Sequence, residues 1–182
     1  MDKGKYAFAF ASGLAATTNI VALLKRGDGV VLIDDVYGGT GRLFRQFAKN
    51  FGILPEFVDF STDITALERA LKPNTSLVWI ETPTNPTLKI IDIARCVQIV
   101  RQYSEDILVT VDNTFLSAYF QNPLNLGADI SMYSLTKYAN GHSDVLMGAI
   151  VTNREDLRDK MKLLQNSLGA VPSPFDCYLM LR

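Results

Sequence analysis

Asp129-Ile-Ser-Met-Tyr-Ser-Leu-Thr-Lys-Tyr-Ala-Asn-Gly-His-Ser-Asp144 decides how this chain folds. It begins as a short strand, Ala128–Tyr133, and breaks at once into two hydroxyls and an amine: Ser134, Thr136 and Lys137. Asn140-Gly-His-Ser143 then has the composition of a loop. A strand that stops on chemistry-bearing side chains and enters a loop is what the carboxyl edge of an α/β sheet looks like.

Upstream, the same alternation repeats. Tyr6–Phe10, Val30–Asp34, Glu56–Asp59, Leu77–Glu81 and Ile107–Asp112 read as strands, and Val145–Thr152 follows as another. Between them, Gly13–Lys25, Gly41–Asn50, Ile64–Leu71, Ile93–Tyr103 and Arg154–Ser167 carry apolar residues at helical spacing. Gly27, Gly52 and Lys72-Pro73 punctuate helix ends, and Thr82-Pro-Thr-Asn-Pro-Thr87 holds too many prolines for regular structure. Strand and helix in alternation predict an α/β fold: a mostly parallel central sheet with helices on both faces. Ligands bind such sheets outside the carboxyl ends of the strands. Glu81, Asp112 and the Ser134–Lys137 group all fall there.

A chain of 182 residues suits one domain with a real core. Its net charge of -1 gives no electrostatic footprint for nucleic acid or an anionic membrane, so neither is an expected partner. No apolar run approaches the roughly 20 residues of a bilayer span, and Met1–Lys5 lacks the apolar centre of a signal peptide. Cys96 and Cys177 lie in apolar helical patterns, which predicts buried free thiols and a reducing, cytoplasmic setting. His142 is the only histidine, and Glu81, Asp129 and Asp144 form no ligand pattern, so no metal site is expected. The chain begins almost on a strand and stops inside the apolar helical pattern Asp176–Arg182, as a piece of a longer protein would.

Lys137 alone is an ordinary solvated lysine, and Asp112 alone an ordinary cap. Together they describe something narrower. An amine with an ordinary pKa near about 10.4 becomes a nucleophile and base when its surroundings depress that value. An acid at a neighbouring strand end can keep a pyridine nitrogen protonated. Ser12-Gly-Leu-Ala-Ala16 joins strand to helix, where free N–H groups and the helix dipole favour a phosphate; a tight turn is the plainer alternative. Tyr37, beside Gly38-Gly39, is placed to stack on a flat heterocycle or simply to occupy a turn. Asn85, between Pro83 and Pro86, could offer its amide to a ring hydroxyl or form an Asx turn. Arg42 could reach a carboxylate or phosphate, or stand exposed on its helix. The nucleotide motifs fail: there is no G-x-x-x-x-G-K-[ST], and Gly27-Asp-Gly29 has Leu32 where a third glycine would stand. An aldehyde cofactor with a phosphate and a pyridine ring, pyridoxal 5'-phosphate, suits the set.

Ala9–Ala16, Asp34–Thr40, Trp79–Pro86, Val111–Thr114 and Asp129–Asp144 together resemble the transsulfuration family of pyridoxal-phosphate enzymes, from Tyr6 to the last residue. Within it, Leu164–Tyr178 looks most like the cystathionine gamma-lyase branch. The resemblance implies the aspartate aminotransferase-like (fold type I) large domain over residues 1–182, without the family's N-terminal arm and C-terminal domain. It implies that Lys137 forms the Schiff base with the cofactor and then moves the substrate Cα proton. Asp112 would pair with the pyridine nitrogen, and Gly13, Leu14, Ser134 and Thr136 would hold the phosphate. Tyr37 would stack on the ring near the substrate, Asn85 would reach the ring hydroxyl, and Arg42 would face the substrate. The expected reaction is cleavage of the small sulfur amino acid L,L-cystathionine to cysteine, 2-oxobutanoate and ammonia. Methionine gamma-lyase, cystathionine beta-lyase and gamma-synthase chemistries stay open, as does a non-catalytic form that joins full-length subunits. A homotetramer whose active sites are shared across a dimer is the family's assembly.

Overall fold

The computed structural model describes residues 3–182, so the first two residues of the Met1–Lys5 stretch lie outside the described residues. Seven strands form one sheet: β1 (Tyr6–Phe10), β2 (Gly29–Ile33), β3 (Leu54–Val58), β4 (Thr75–Glu81), β5 (Leu108–Asp112), β6 (Ile130–Ser134) and β7 (Gly148–Thr152). Their spatial order is β1-β7-β6-β5-β4-β2-β3. Strands β3, β2, β4, β5 and β6 run parallel, whereas β7 is antiparallel to both β6 and β1. The sheet is therefore mostly parallel with one reversed strand. The middle strands explain themselves: Gly29-Val-Val-Leu-Ile33 is buried at every position, and β4 is buried at all but Ser76. Continuous apolar runs are what parallel strands covered on both faces require.

The helices are α1 (Gly13–Val21), α2 (Gly38–Arg42), α3 (Thr65–Ala70), α4 (Ile93–Tyr103), α5 (Ser117–Phe120), α6 (Glu155–Ser167) and α7 (Pro174–Met180). Helix α1 packs on β6 and β7 and meets α2 and α6, while α3 and α4 pack on each other and reach β3 and β5. Caps set their starts: Ser12 accepts from the Ala15 N–H ahead of α1, and Asp92 accepts from the Arg95 N–H ahead of α4. The helix expected over Gly41–Asn50 begins earlier, at Gly38, and widens into a π-helical turn over Leu43–Ala48. That turn buries Phe44 edge-on against Trp79, with ring centroids 5.7 Å apart.

One expectation about the cysteines needs correction. Cys96 is buried, and burial pushes its thiol up to about 12, but Cys177 is only half-buried. Helix α7 buries none of its residues, so its apolar pattern has no partner that covers the thiol. Among the described residues no helix is long and apolar enough to cross a membrane. No group of three His, Cys, Asp or Glu side chains among them could hold a metal ion.

Candidate active site

The parallel register carries two acids to one place. Strands β4 and β5 pair Trp79 with Thr110 and Glu81 with Asp112, so the two carboxyls end neighbouring strands side by side. Strand β5 in turn sets Asp112 beside Met132 of β6, two residues before Ser134. Asp112 is 6% exposed and Glu81 5% exposed, and neither makes an ion pair with a basic group among the described residues. Burial raises the pKa of both, and for Glu81 the charge of Asp112 adds to the shift.

Thr114 ties this edge together. Asp112 Oδ1 accepts from the Thr114 hydroxyl at 2.6 Å and from its N–H at 3.1 Å. The same hydroxyl oxygen accepts from the Ser134 N–H at 2.8 Å. One side chain thus links the acid at the end of β5 to the end of the strand that leads to Lys137. Asp112 Oδ2 receives no hydrogen bond from the described residues.

The turn from β1 into α1 closes the other side. Ser12 takes up the N–H groups of Ala15 and Ala16 with its hydroxyl and carbonyl oxygens, while those of Gly13 and Leu14 donate to no described residue. A helix of nine residues presents these two free donors at its positive end. A Cβ on Gly13 would fall 2.9 Å from the Ser134 Cβ, so glycine allows this approach. Sequence reasoning missed Gly148 at the start of β7, where a Cβ would lie 2.2 Å from the Ser12 carbonyl oxygen. Only the chain crossing seen in three dimensions reveals that contact.

A cavity of about 370 Å³ opens between these elements. Gly13, Leu14, Tyr37, Asn85, Asp112, Ser134, Thr136 and Lys137 all line it, so the structure gathers eight of the nine site residues expected from sequence. Arg42 is the ninth. It sits exposed at the end of α2 and does not line the cavity. Tyr37 is 47% exposed, and its ring folds over Gly39, where a Cβ would come within 2.5 Å of it. Lys137 lies in the turn after β6, with an exposed side chain and no ion pair among the described residues. Thr136 exchanges hydrogen bonds with Met147, accepting from its N–H at 3.1 Å and donating to its carbonyl at 3.2 Å. Ser134 is therefore the less engaged of the two hydroxyls.

Other residues line the cavity without being expected as site residues, Glu81 and Phe115 among them. Glu81 accepts the Tyr37 N–H on Oε2 and the Asn85 N–H on Oε1, each at 2.9 Å. Phe115 meets Tyr138 edge-on at 6.4 Å between centroids. Glu81's position at a strand end was visible in the sequence, but its partners were not.

The donor set fits a phosphorylated pyridine aldehyde. Two free N–H groups and a hydroxyl suit a phosphate, and a buried acid with an open oxygen suits a protonated ring nitrogen. An amine and an aromatic ring stand in the same cavity.

The family model for Cys/Met metabolism PLP-dependent enzymes matches residues 1–182. Cystathionine gamma-lyase of Homo sapiens is 62% identical over 179 residues, which cover 98% of this chain and 44% of that protein. The Dictyostelium discoideum enzyme of the same name is 58% identical over 181 residues, 100% of this chain and 46% of that protein. Among solved structures, cystathionine gamma-lyase from Lactobacillus plantarum complexed with L-serine superposes with a TM-score of 0.94 at 42% identity. That superposition covers 98% of this chain and 46% of the other. The chain thus spans about half the length of the curated relatives it matches. A profile matched from first residue to last, on a fold whose strand ends gather this donor set, places the chain in the Cys/Met metabolism family of PLP-dependent enzymes.

Proposed function

We propose that residues 1–182 are the cofactor-binding large-domain part of a carbon–sulfur lyase that cleaves L,L-cystathionine to cysteine, 2-oxobutanoate and ammonia. The observation that carries this reading is Asp112: a buried acid with one open oxygen and no ion pair among the described residues, in the same cavity as Lys137 and the free N–H groups of α1. A buried carboxylate without a counter-charge is costly, and a cationic ring nitrogen would supply that charge. The names of relatives about 60% identical along the whole chain favour cystathionine over the other substrates of the family.

When bound, pyridoxal 5'-phosphate supplies an electron sink for a substrate carbanion. In this reading Lys137 Nζ holds the aldehyde end and moves the proton at the substrate Cα. Asp112 holds the proton on the ring nitrogen. The N–H groups of Gly13 and Leu14, with the Ser134 hydroxyl, hold the phosphate; Thr136 joins them by turning its hydroxyl away from Met147. Tyr37 stacks on the ring and excludes water from one face, and the Asn85 amide orients the ring hydroxyl. Arg42 serves the substrate from outside the cavity lining. We further propose a cytoplasmic homo-oligomer in which a neighbouring subunit completes the site. The apolar residues left exposed on and around α7, Phe175 at 66% and Tyr178 at 71%, support such packing.

The test is covalent. Protein mixed with pyridoxal 5'-phosphate and reduced with borohydride should carry one adduct, which peptide mass spectrometry locates on Lys137 and which Lys137→Ala removes. Adducts scattered over surface lysines, with none favoured at 137, would refute the reading. In the full gene product, 2-oxobutanoate should form from cystathionine faster than from methionine. Pyruvate formed from cystathionine would instead reassign the enzyme to cleavage at the β-carbon.

A further inference from the structure

Glu81 takes no part in the mechanism above, yet it is among the most buried charged side chains at the carboxyl edge. It ends β4 beside Asp112, with no basic group paired to it among the described residues. Its carboxyl accepts two backbone N–H bonds from two separate loops. Oε2 takes the Tyr37 N–H, in the connection between β2 and α2, and Oε1 takes the Asn85 N–H, in the proline-rich loop after β4. Tyr37 makes no side-chain cap for its own helix, and no other described group accepts from its N–H. Two residues whose side chains face the cavity from different segments therefore hang on one carboxyl. An apolar side chain at 81 would leave both N–H groups without their partner at the rim of the cavity.

We propose that Glu81 is a positioning residue for cofactor binding: its carboxyl fastens the Tyr37 loop and the Asn85 loop to the strand end beside Asp112. It thereby sets where the tyrosine ring and the asparagine amide meet the cofactor ring. The part of this inference that concerns the cofactor rests on the functional reading above; the part that concerns the loops does not. Glutamate suits the task because each of its two oxygens accepts one of two bonds that arrive from different directions. Glutamine at 81 would keep one acceptor and turn an N–H donor toward the other loop. The distance between the loops and the Asp112 strand is then no longer held by two bonds.

Two measurements separate the layers. Without cofactor, amide hydrogen exchange by NMR should show Tyr37 and Asn85 protected in the native chain. In Glu81→Ala both should exchange about tenfold faster or more, relative to Val31 in β2 and Val78 in β4. Glu81→Gln should release one of the two and leave the other close to native. Unchanged rates at both positions in Glu81→Ala, or a uniform acceleration that includes Val31 and Val78, would overturn the proposal. With pyridoxal 5'-phosphate, Glu81→Ala should still form the adduct at Lys137 but lose at least half of the visible circular dichroism of the bound cofactor. An adduct that keeps its native visible ellipticity would overturn the cofactor-orienting role. If the native chain forms no adduct at Lys137, the functional reading falls, and the exchange rates still decide what Glu81 holds.

Discussion

Gly148→Ala offers the sharpest test of how the anion cradle is built. Gly148 pairs with Phe10 of β1 on one side and Ser134 of β6 on the other, directly beneath the turn that enters α1. A methyl group there would stand 2.2 Å from the Ser12 carbonyl oxygen and 2.9 Å from the Gly13 Cα. Both are backbone atoms, so no side chain can rotate aside. The turn must withdraw by about 1 Å to reach ordinary van der Waals contact, and overpacking of this sort costs about 1–3 kcal/mol. Because the strained atoms belong to main chain, the upper part of that range applies: the urea midpoint should fall by the equivalent of about 2–3 kcal/mol. The same retreat carries the Gly13 and Leu14 N–H groups away from Ser134. Affinity for pyridoxal 5'-phosphate, read by titration of the Lys137 adduct, should drop about tenfold or more. Gly38→Ala, whose added methyl meets nothing within 4 Å, is the control and should change neither quantity. A Gly148→Ala protein with native midpoint and native cofactor affinity would refute the geometry of this turn.

Other perturbations follow from the same structure. Phe44→Ala removes a fully buried ring packed edge-on against Trp79 and should destabilise the chain by about 3–5 kcal/mol, measured by chemical denaturation. Burial and the charge of Asp112 raise the Glu81 pKa above its unfolded value, so the folded chain binds more protons and stability declines as pH rises through that interval. Glu81→Gln should flatten this decline in the pH dependence of the urea midpoint. Lys89 first, then the Ser61 hydroxyl and N–H, hold the Asp59 carboxyl down at about 2. That contribution is present above the ordinary carboxyl range and is lost as pH falls toward 2, so Lys89→Met should shift the acid-unfolding limb upward in pH. A thiol reagent should label Cys177 in the native chain and reach Cys96 only on unfolding, with peptide mapping as the measure.

Much of this architecture can be read from residues, and the reasons are physical. Buried parallel strands need unbroken apolar runs, so Gly29–Ile33 and Leu77–Glu81 declare themselves. Residues at strand ends collect at one edge in such a sheet, which is why Asp112 and Lys137 could be associated before any coordinates. What escaped depends on register or on crossings between distant segments. The antiparallel course of β7 leaves no mark on its own sequence, since Gly148–Thr152 reads as a buried apolar strand like the parallel strands of the sheet. Glu81 faces Asp112 because of the pairing of β4 with β5, and its two N–H partners come from loops 44 residues and 4 residues away. The widened turn at Leu43–Ala48 keeps the apolar spacing of an ordinary helix. Arg42 followed the helical pattern correctly, but which way its helix faces is set by tertiary packing. Cys177 departs from expectation because an apolar pattern reports what a helix is able to bury, and α7 is only partly covered among the described residues.

The Thr114 hydroxyl, shared between Asp112 and the Ser134 N–H, has a mechanical consequence. Beyond their last paired residues, Asp112 and Met132, two adjacent strands that each bear one pole of the binding site could splay; here they are latched at their tips. Breathing of the sheet therefore carries acid and amine together as the two jaws of one caliper. Its gauge is set by that hydroxyl together with the Asn113 N–H, which donates to the Met132 carbonyl at 2.9 Å.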